Sequence, residues 1–454
     1  MKTFPLLLIM LLLSSSATCP ATAPAKPNII FILTDDMGFG DIGCFGGEFI
    51  PTPNIDRLAQ SGLMLTQYYS AAPICSPSRA GFLTGMYPAR WNFSTYLDNR
   101  KHNRNAQQAD FLDPGAPSIA RFFKDAGYAT GHFGKWHMGG GRDVTDAPGF
   151  EKYGFDEHIS TYESPDPDPL ITATNWIWSD KDSIRRWNRT KYFVDKTLDF
   201  LERHKGQPCY INLWPDDVHT PWVPNPDDSY NGAFPRNKEE ETAFKLVLKE
   251  YDKQIGRLLD GLKEKGLDEN TIVIFTSDNG PLPNFRSSRS GGMRGSKLSL
   301  YEGGVRMPYI ISWPGHIKAG AVNQTSEVVS IDLLPSLAKM AGVRLPGSYK
   351  GDGKDRSGVF LGKASSRNLD MYWEYGRNNI AFSYPKMPNK SPSLAIRSGN
   401  WKFLMNSDGT DMELYDIVKD KNEKTNLAGK HLKEVKVLKE KLGNWWVSLP
   451  RLPE

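Results

Sequence analysis

The residues best equipped for chemistry begin at Cys75-Ser76-Pro77-Ser78-Arg79 and run on into Ala80-Gly81-Phe82-Leu83-Thr84-Gly85. A cysteine that opens a helix lies where unpaired backbone N–H groups and the positive end of the macrodipole favour an anion, and Arg79, one turn on, adds fixed positive charge. Such a place can hold a charged oxyanion; the competing reading is a buried structural cysteine. Two further segments, Asp35-Asp36 and Ser277-Asp278-Asn279-Gly280, each follow an apolar run. Adjacent carboxylates at the end of a buried strand repel one another and lose hydration, which calls for a cation or strong donors, although a surface turn carries Asp-Asp harmlessly. Brought together, the two segments put three carboxylates and an amide around one divalent cation, and oxygen ligation without imidazole or thiolate favours Ca²⁺ or Mg²⁺ over zinc. Lys135 and His137 are flanked by Gly134 and Gly139, so both can approach a ligand without bulk around them. His219 follows Asp216-Asp217-Val218; alone it reads equally as a turn residue or an acid, and the company of Lys135 and His137 favours the acid.

The stretch from Cys75 to Gly85 resembles the sulfatase signature Cys-x-Pro-Ser-Arg-x-x-x-Leu-Thr-Gly, and Gly127-Tyr128-Ala129-Thr130-Gly131-His132-Phe133-Gly134-Lys135-Trp136-His137 resembles that family's second signature. Gly295-Ser296-Lys297 followed by Tyr301-Glu302-Gly303-Gly304 resembles the segment that contributes a sulfate-binding lysine. The resemblance implies that Cys75 is oxidised after translation to formylglycine, whose hydrate attacks sulfur in line and is later freed of sulfate. It implies a maturase that reaches Cys75 before folding buries it. One calcium is implied as well, with ligands matching Asp35, Asp36, Asp278, Asn279 and the modified Cys75. Arg79, Lys135 and Lys297 would neutralise the terminal sulfate oxygens. His219 is assigned to protonating the leaving alcohol and His137 to the neighbouring hydroxyl of the nucleophile, and the two roles are exchangeable as far as sequence goes.

Positioning these groups requires strands that end together. Ile29–Leu33, Cys209–Trp214 and Thr271–Thr276 are continuous apolar runs of the kind made by strands buried on both faces of a parallel sheet. Leu63–Tyr69, Tyr128–Phe133 and the run from Met307 to Gly315 read as further strands, and Ser118–Ala126, Lys191–Arg203 and Glu239–Lys265 as amphipathic helices. Residues 140–190 lack a clean period and read as insertions over the sheet edge. Their Trp176, Trp178, Arg185, Arg186 and Trp187, with His102, suit stacking on sugars and gripping anions. The basic loop carrying Arg286, Arg289 and Arg294 adds substrate-contact candidates, the alternative being a solvated charged loop. Past residue 345 come short antiparallel strands and a terminal helix, Leu432–Val447. The predicted fold is α/β: a large, mixed, mostly parallel sheet sandwiched by helices, with a smaller C-terminal antiparallel-sheet-plus-helix domain. The resemblance makes it alkaline-phosphatase-like.

The expected division is a signal peptide over 1–25, a catalytic unit over 26–345 and a C-terminal unit over 346–454. The leader predicts a secreted or periplasmic protein, with lipoprotein anchoring at Cys19 as the weaker reading. A net charge of +4 over 454 residues speaks against nucleic-acid binding. Cysteines are too few for a disulfide framework, and pairing of Cys44 with Cys209 stays open. The function read from all this is a sulfatase acting on sulfated carbohydrate, with galactose- or N-acetylgalactosamine-type sulfates as the first expectation. Alternatives are a broad arylsulfatase, a phosphonate or phosphodiester hydrolase on the same scaffold, and a non-catalytic glycan-binding protein.

Overall fold

A computed structural model describes residues 26–226, 240–378 and 389–452, so the expected leader and Cys19 lie outside the described residues. The large sheet is built from β1 (Asn28–Thr34), β2 (Leu63–Tyr69), β3 (Ala129–Gly134), β4 (Glu157–Ser160), β5 (Cys209–Trp214), β6 (Thr271–Ser277), β7 (Arg306–Ser312), β8 (Ala321–Asn323) and β9 (Val328–Val329). Its order is β4-β3-β5-β1-β6-β7-β2-β8, with β9 also on β2. Every pairing is parallel except those of β7, which runs against both β6 and β2. That reversal brings the chain entering β7 to the edge where all the other strands end.

Alternation along β1 explains the sandwich. Ile30 and Ile32 face a core with the helices Pro53–Gln60, Arg189–Arg203 and Glu241–Glu264, while Ile29, Phe31 and Leu33 face a core with the helices Cys75–Thr84, Ile119–Asp125 and Leu333–Met340. A strand covered on both faces has no polar side to show, and β1, β5 and β6 are buried throughout. Burying each such aliphatic side chain contributes about 1.5–3 kcal/mol against leaving it exposed.

A second sheet, order β10 (Met371–Glu374), β11 (Leu394–Ser398), β12 (Trp401–Met405) and β13 (Glu413–Asp416), is antiparallel throughout. Along β12, Phe403 and Met405 turn to the helix Leu432–Val447, whereas Leu404 turns to Tyr69, Ile74, Cys75 and Tyr301 of the large unit. The small sheet therefore packs directly behind the cysteine helix and the segment leading into β7.

Three expectations need correction. Residues 140–190 are not insertion alone, because β4 pairs with β3 as a parallel edge strand; four residues are too short to register as a period. The long helix spans Glu241–Glu264 and stops short of the expected Lys265, while the expected start, Glu239, lies outside the described residues. Cys44 and Cys209 are both free thiols, so the open pairing is not made. Among the described residues no helix is long and apolar enough to cross a membrane.

Candidate active site

Six chain segments reach one edge of the large sheet. Asp35 and Asp36 follow β1, Asp278 and Asn279 follow β6, Lys135 and His137 follow β3, Asp216 and His219 follow β5, and Cys75 opens a helix after β2. Lys297 arrives on the loop before β7, the reversed strand. Backbone bonds lock neighbouring ends together: Asp278 N donates to Thr34 O (3.1 Å), Asp35 N to Asp217 O (3.0 Å) and Lys135 N to Trp214 O (2.7 Å). The last contact needs Gly134, whose φ is 129° and whose missing Cβ would lie 1.9 Å from the Trp214 carbonyl oxygen.

Cys75 is the first residue of its helix, and its Sγ lies 3.1 Å from His137 Nδ1. The other ring nitrogen of His137, Nε2, lies 3.0 Å from Leu97 O. A carbonyl only accepts, so Nε2 carries the proton and the lone pair of Nδ1 points at residue 75 in the neutral ring. His219 is fixed the opposite way: Nδ1 donates to Thr220 O (2.5 Å), leaving Nε2 on the cavity side, 3.6 Å from Asp36 Oδ2. Burial lowers both histidines to about 4, Lys297 adding to the effect at His219 and Glu163 opposing it at His137. Burial also pushes the Cys75 thiol up, against Lys135 and Lys297.

The cations each meet a carboxylate. Lys135 Nζ donates to Asp35 Oδ2 (2.6 Å), and Lys297 Nζ lies 2.8 and 2.9 Å from the two oxygens of Asp36. Arg79, fully buried, bonds Asp278 Oδ2 through Nε (3.1 Å) and Nη2 (2.8 Å), and Lys135 O through Nη1 (2.7 Å). Arg79 thus braces the ends of β3 and β6 from beneath the cavity. Asp36 (φ 60°) and His137 (φ 53°) hold left-handed backbone, uncommon outside glycine and most tolerated by Asp, Asn and His.

Acceptors outnumber donors here. Asp35 Oδ1 and Asn279 Oδ1 are buried with no hydrogen-bond partner, while Asn279 Nδ2 donates to Asp36 Oδ1 (2.7 Å). Carboxylate oxygens of Asp35 and Asp36 and a ring nitrogen of His219 lie within 4.8 Å of one another. Burial and then the charge of Asp35 raise Asp278 to about 8 against Arg79, whereas, against burial, Lys135 holds Asp35 and Lys297 holds Asp36 below the usual carboxylate range. Buried oxygens without donors, gathered at one point, fit a divalent cation. His219 Nε2 stands beside this cluster, 3.6 Å from Asp36 Oδ2, and Asp278 spends one oxygen on Arg79.

Above these groups opens a cavity of about 280 Å³ lined by Cys75, Asp35, Lys135, His137, His219 and Lys297, with walls from Tyr96, Arg142, Tyr162, Glu163, Ile177 and Arg186. Arg142 lies over the Tyr162 ring (5.2 Å to its centroid) and pairs with Asp98 (2.8 Å). Glu163 Oε2 is 3.3 Å from His137 Nδ1. Arg142, Tyr162, Glu163 and Tyr96 were not picked out from sequence; the only signal was the glycine run Gly139-Gly140-Gly141 just before Arg142.

Several expected substrate contacts are placed elsewhere. Arg289 is fully buried and bonds both oxygens of Asp41 and the Asp36 carbonyl, so it supports the loop after β1 and cannot meet substrate. Arg294 donates to Tyr415 OH (2.7 Å) and Tyr301 OH (2.8 Å), away from the cavity lining. Arg286 is exposed at φ 58°. Trp176 and Trp178 flank the cavity residue Ile177 without lining the cavity, and His102 stacks on Tyr96 (4.8 Å), behind the wall.

With this arrangement in view, comparison with known proteins is direct. Residues 27–343 match the family model described as Sulfatase, and residues 296–446 the model described as N-sulphoglucosamine sulphohydrolase, C-terminal. The chain belongs to the sulfatase family. It is 29% identical to the N-acetylgalactosamine-6-O-sulfatase of Bacteroides thetaiotaomicron over 92% of each chain. It is 33% identical to the N-acetylgalactosamine-6-sulfatase of Mus musculus over 80% of this chain and 72% of the relative. A solved structure from work on the metabolism of multiple glycosaminoglycans by B. thetaiotaomicron superposes with TM-score 0.76 at 28% identity, over 93% of this chain and 99% of that one. The complex of Ps i-CgsB with k-i-k-neocarrahexaose superposes with TM-score 0.73 at 26% identity, over 93% of each. The protein is a sulfuric ester hydrolase.

Proposed function

We propose that this chain is a secreted or periplasmic sulfatase that removes sulfate from carbohydrate esters of galactose or N-acetylgalactosamine type. It uses a formylglycine made from Cys75 by a maturase before folding, with one Ca²⁺ beside it. The leader over 1–25 directs export, residues 26–345 form the catalytic unit and residues from 346 onward the C-terminal unit. The observation that carries this reading is the convergence of Cys75, Lys135, His137, His219 and Lys297, from separate segments, on a single cavity. The carbohydrate assignment is supported by the relatives' names, by the tyrosine and arginine walls, and by a volume suited to about one sulfated sugar ring.

The Sγ of Cys75 stands where the formylglycine oxygens would be. The hydrated aldehyde would supply an oxygen nucleophile, and Asp35, Asp36, Asp278 and Asn279 would hold the calcium, which would supply positive charge next to it. A buried thiol kept protonated by its surroundings is a poor nucleophile, which favours the oxidised form as the working one. Lys135 and Lys297 neutralise the terminal oxygens of the ester, so an incoming oxygen anion is not repelled. His137, with its Nδ1 lone pair turned to residue 75, holds and moves that residue's hydroxyl proton. His219 presents Nε2 to the cavity for the leaving alcohol; the charge of a bound sulfate offsets the field of Lys297 and raises the ring toward its protonated form.

A panel of defined 6-O-, 4-O- and 2-O-sulfated mono- and oligosaccharides, with free sulfate quantified, tests the assignment. Release from sulfated galactosamine or galactose is expected. Turnover confined to aryl sulfates would reject the carbohydrate assignment, and faster cleavage of an aryl phosphodiester would replace sulfuryl by phosphoryl chemistry.

A further inference from the structure

The loop that delivers Lys297 is held on two sides by different parts of the molecule. Its near leg belongs to the large unit: Lys297 N donates to Pro281 O (2.7 Å) and Leu298 N to Pro73 O (2.8 Å). Between them the backbone turns through Leu298 at φ 69°, a left-handed conformation that a leucine adopts only at a cost and keeps only where its surroundings enforce it. The far leg belongs to the C-terminal part. Leu300 N donates to Ser391 Oγ (2.8 Å), and Glu302 N donates to Glu423 Oε2 (2.6 Å).

Glu423 is itself fixed. Lys402 of β12, with no exposed surface, lies 3.0 Å from Glu423 Oε1 and 2.9 Å from Glu302 Oε1. The second oxygen of Glu302 accepts from Tyr69 OH (2.7 Å), at the end of the strand that leads to Cys75. One buried network thus joins the small sheet, the Lys297 loop and the strand before the nucleophile. At the base of the loop, Gly303 N donates to Arg294 O (2.7 Å), and the Arg294 guanidinium lies 3.7 Å from the centroid of the Tyr301 ring.

We propose that Glu423, carried by Lys402, and Ser391 are positioning residues for sulfate hydrolysis: they clamp the far leg of the Lys297 loop from the C-terminal sheet and so keep the Lys297 ammonium at the cavity. The inference rests on Lys297 being a sulfate-binding cation. It makes the small sheet a working part of the site rather than a cover. A side chain displaced by about 1 Å in a catalytic site costs on the order of a hundredfold in rate, so loosening one leg of a strained loop has a large readout.

A double-mutant cycle separates positioning from general support. Glu423→Ala is expected to lower kcat/KM by roughly tenfold and to weaken inhibition by inorganic sulfate in parallel, with Lys297 intact. In the Lys297→Ala background the same change is expected to alter kcat/KM by less than about twofold, because the group it positions is gone. Glu423→Gln, whose amide oxygen still accepts from Glu302 N, should restore most of the activity. If Glu423→Ala does not fold, Ser391→Ala carries the same cycle, with a loss of about threefold expected only when Lys297 is present. An equal loss in both backgrounds, or sulfate inhibition unchanged by Glu423→Ala, would overturn the proposal. If Lys297→Ala by itself leaves sulfate-ester hydrolysis intact, the reading of Lys297 fails instead.

Discussion

Two clusters of buried charge are built from the same ingredients and do different work. At the edge of the large sheet, Asp35, Asp36 and Asp278 face Arg79, Lys135 and Lys297. Between the two sheets, Glu302, Glu327 and Glu423 face Arg306, Arg397 and Lys402. The second cluster closes on itself: Lys402 bridges two glutamates, and Glu302 also takes Tyr69 and Arg306. The first opens on a cavity and keeps Asp35 Oδ1 and Asn279 Oδ1 buried without a hydrogen bond; in the second, Glu423 Oε1 also lacks one but lies 3.0 Å from Lys402 Nζ. Buried acceptors matched by cations make a joint, whereas buried acceptors left unmatched beside a cavity make a site for a ligand.

The comparison breaks most readily at Cys75, the proposed source of the nucleophile. Cys75→Ala is expected to reduce sulfate release by roughly 10⁴-fold or more with little change in melting temperature, measured by sulfate detection and thermal unfolding. Exchanging cations between the clusters sharpens it. Lys297→Ala is expected to lower kcat/KM by about 10²–10³-fold while the fold persists. Lys402→Met should register first as lost stability, on the order of 3–5 kcal/mol by denaturant titration, because it strands buried carboxylates. The opposite pattern would mean that the roles of the two clusters are reversed.

Removing divalent ions by chelation is the next test. Activity should vanish and the melting temperature fall, with Ca²⁺ restoring both; at a hundredfold excess over its Kd a bound ion adds about 2.7 kcal/mol. Asp35→Asn should abolish the Ca²⁺ dependence of the melting temperature, and a chelator-insensitive melting curve would contradict the metal assignment.

The smallest effect concerns pH at the joint. Burial, with the charge of Glu302 and against Lys402, raises Glu423 to about 7 in the fold, above the ordinary glutamate value. The native state therefore favours the protonated form. The resulting stability is complete below the unfolded glutamate pKa, about 4.3, and is lost as pH rises through about 7. Thermal unfolding between pH 4.5 and 8 should show the wild type losing ground to Glu423→Gln by a few degrees. Parallel curves for the two proteins would place the titration elsewhere.

Much of this was legible in the sequence because it is local. The strand ends at Asp35, Asp278, Lys135 and His219 could be read from apolar runs that stop abruptly, and Leu63–Tyr69 and Leu432–Val447 keep their expected bounds. What could not be read is pairing across distance. Arg289 looked like a free loop cation, yet its partner Asp41 is 248 residues away, and Arg294 finds Tyr415 at a separation of 121. The cavity wall at Arg142, Tyr162 and Glu163 sits in an aperiodic stretch whose only marks are glycines. The reversed β7 that brings Lys297 to the site is likewise invisible to a pattern in which parallel and antiparallel strands buried on both faces look alike.

The most direct measurement of the central claim is the mass of the proteolytic peptide carrying residue 75, taken from enzyme that is releasing sulfate at full rate. The account predicts the formylglycine mass at that residue, with activity proportional to the converted fraction across preparations. Full activity in material whose residue 75 is an unmodified cysteine would contradict it.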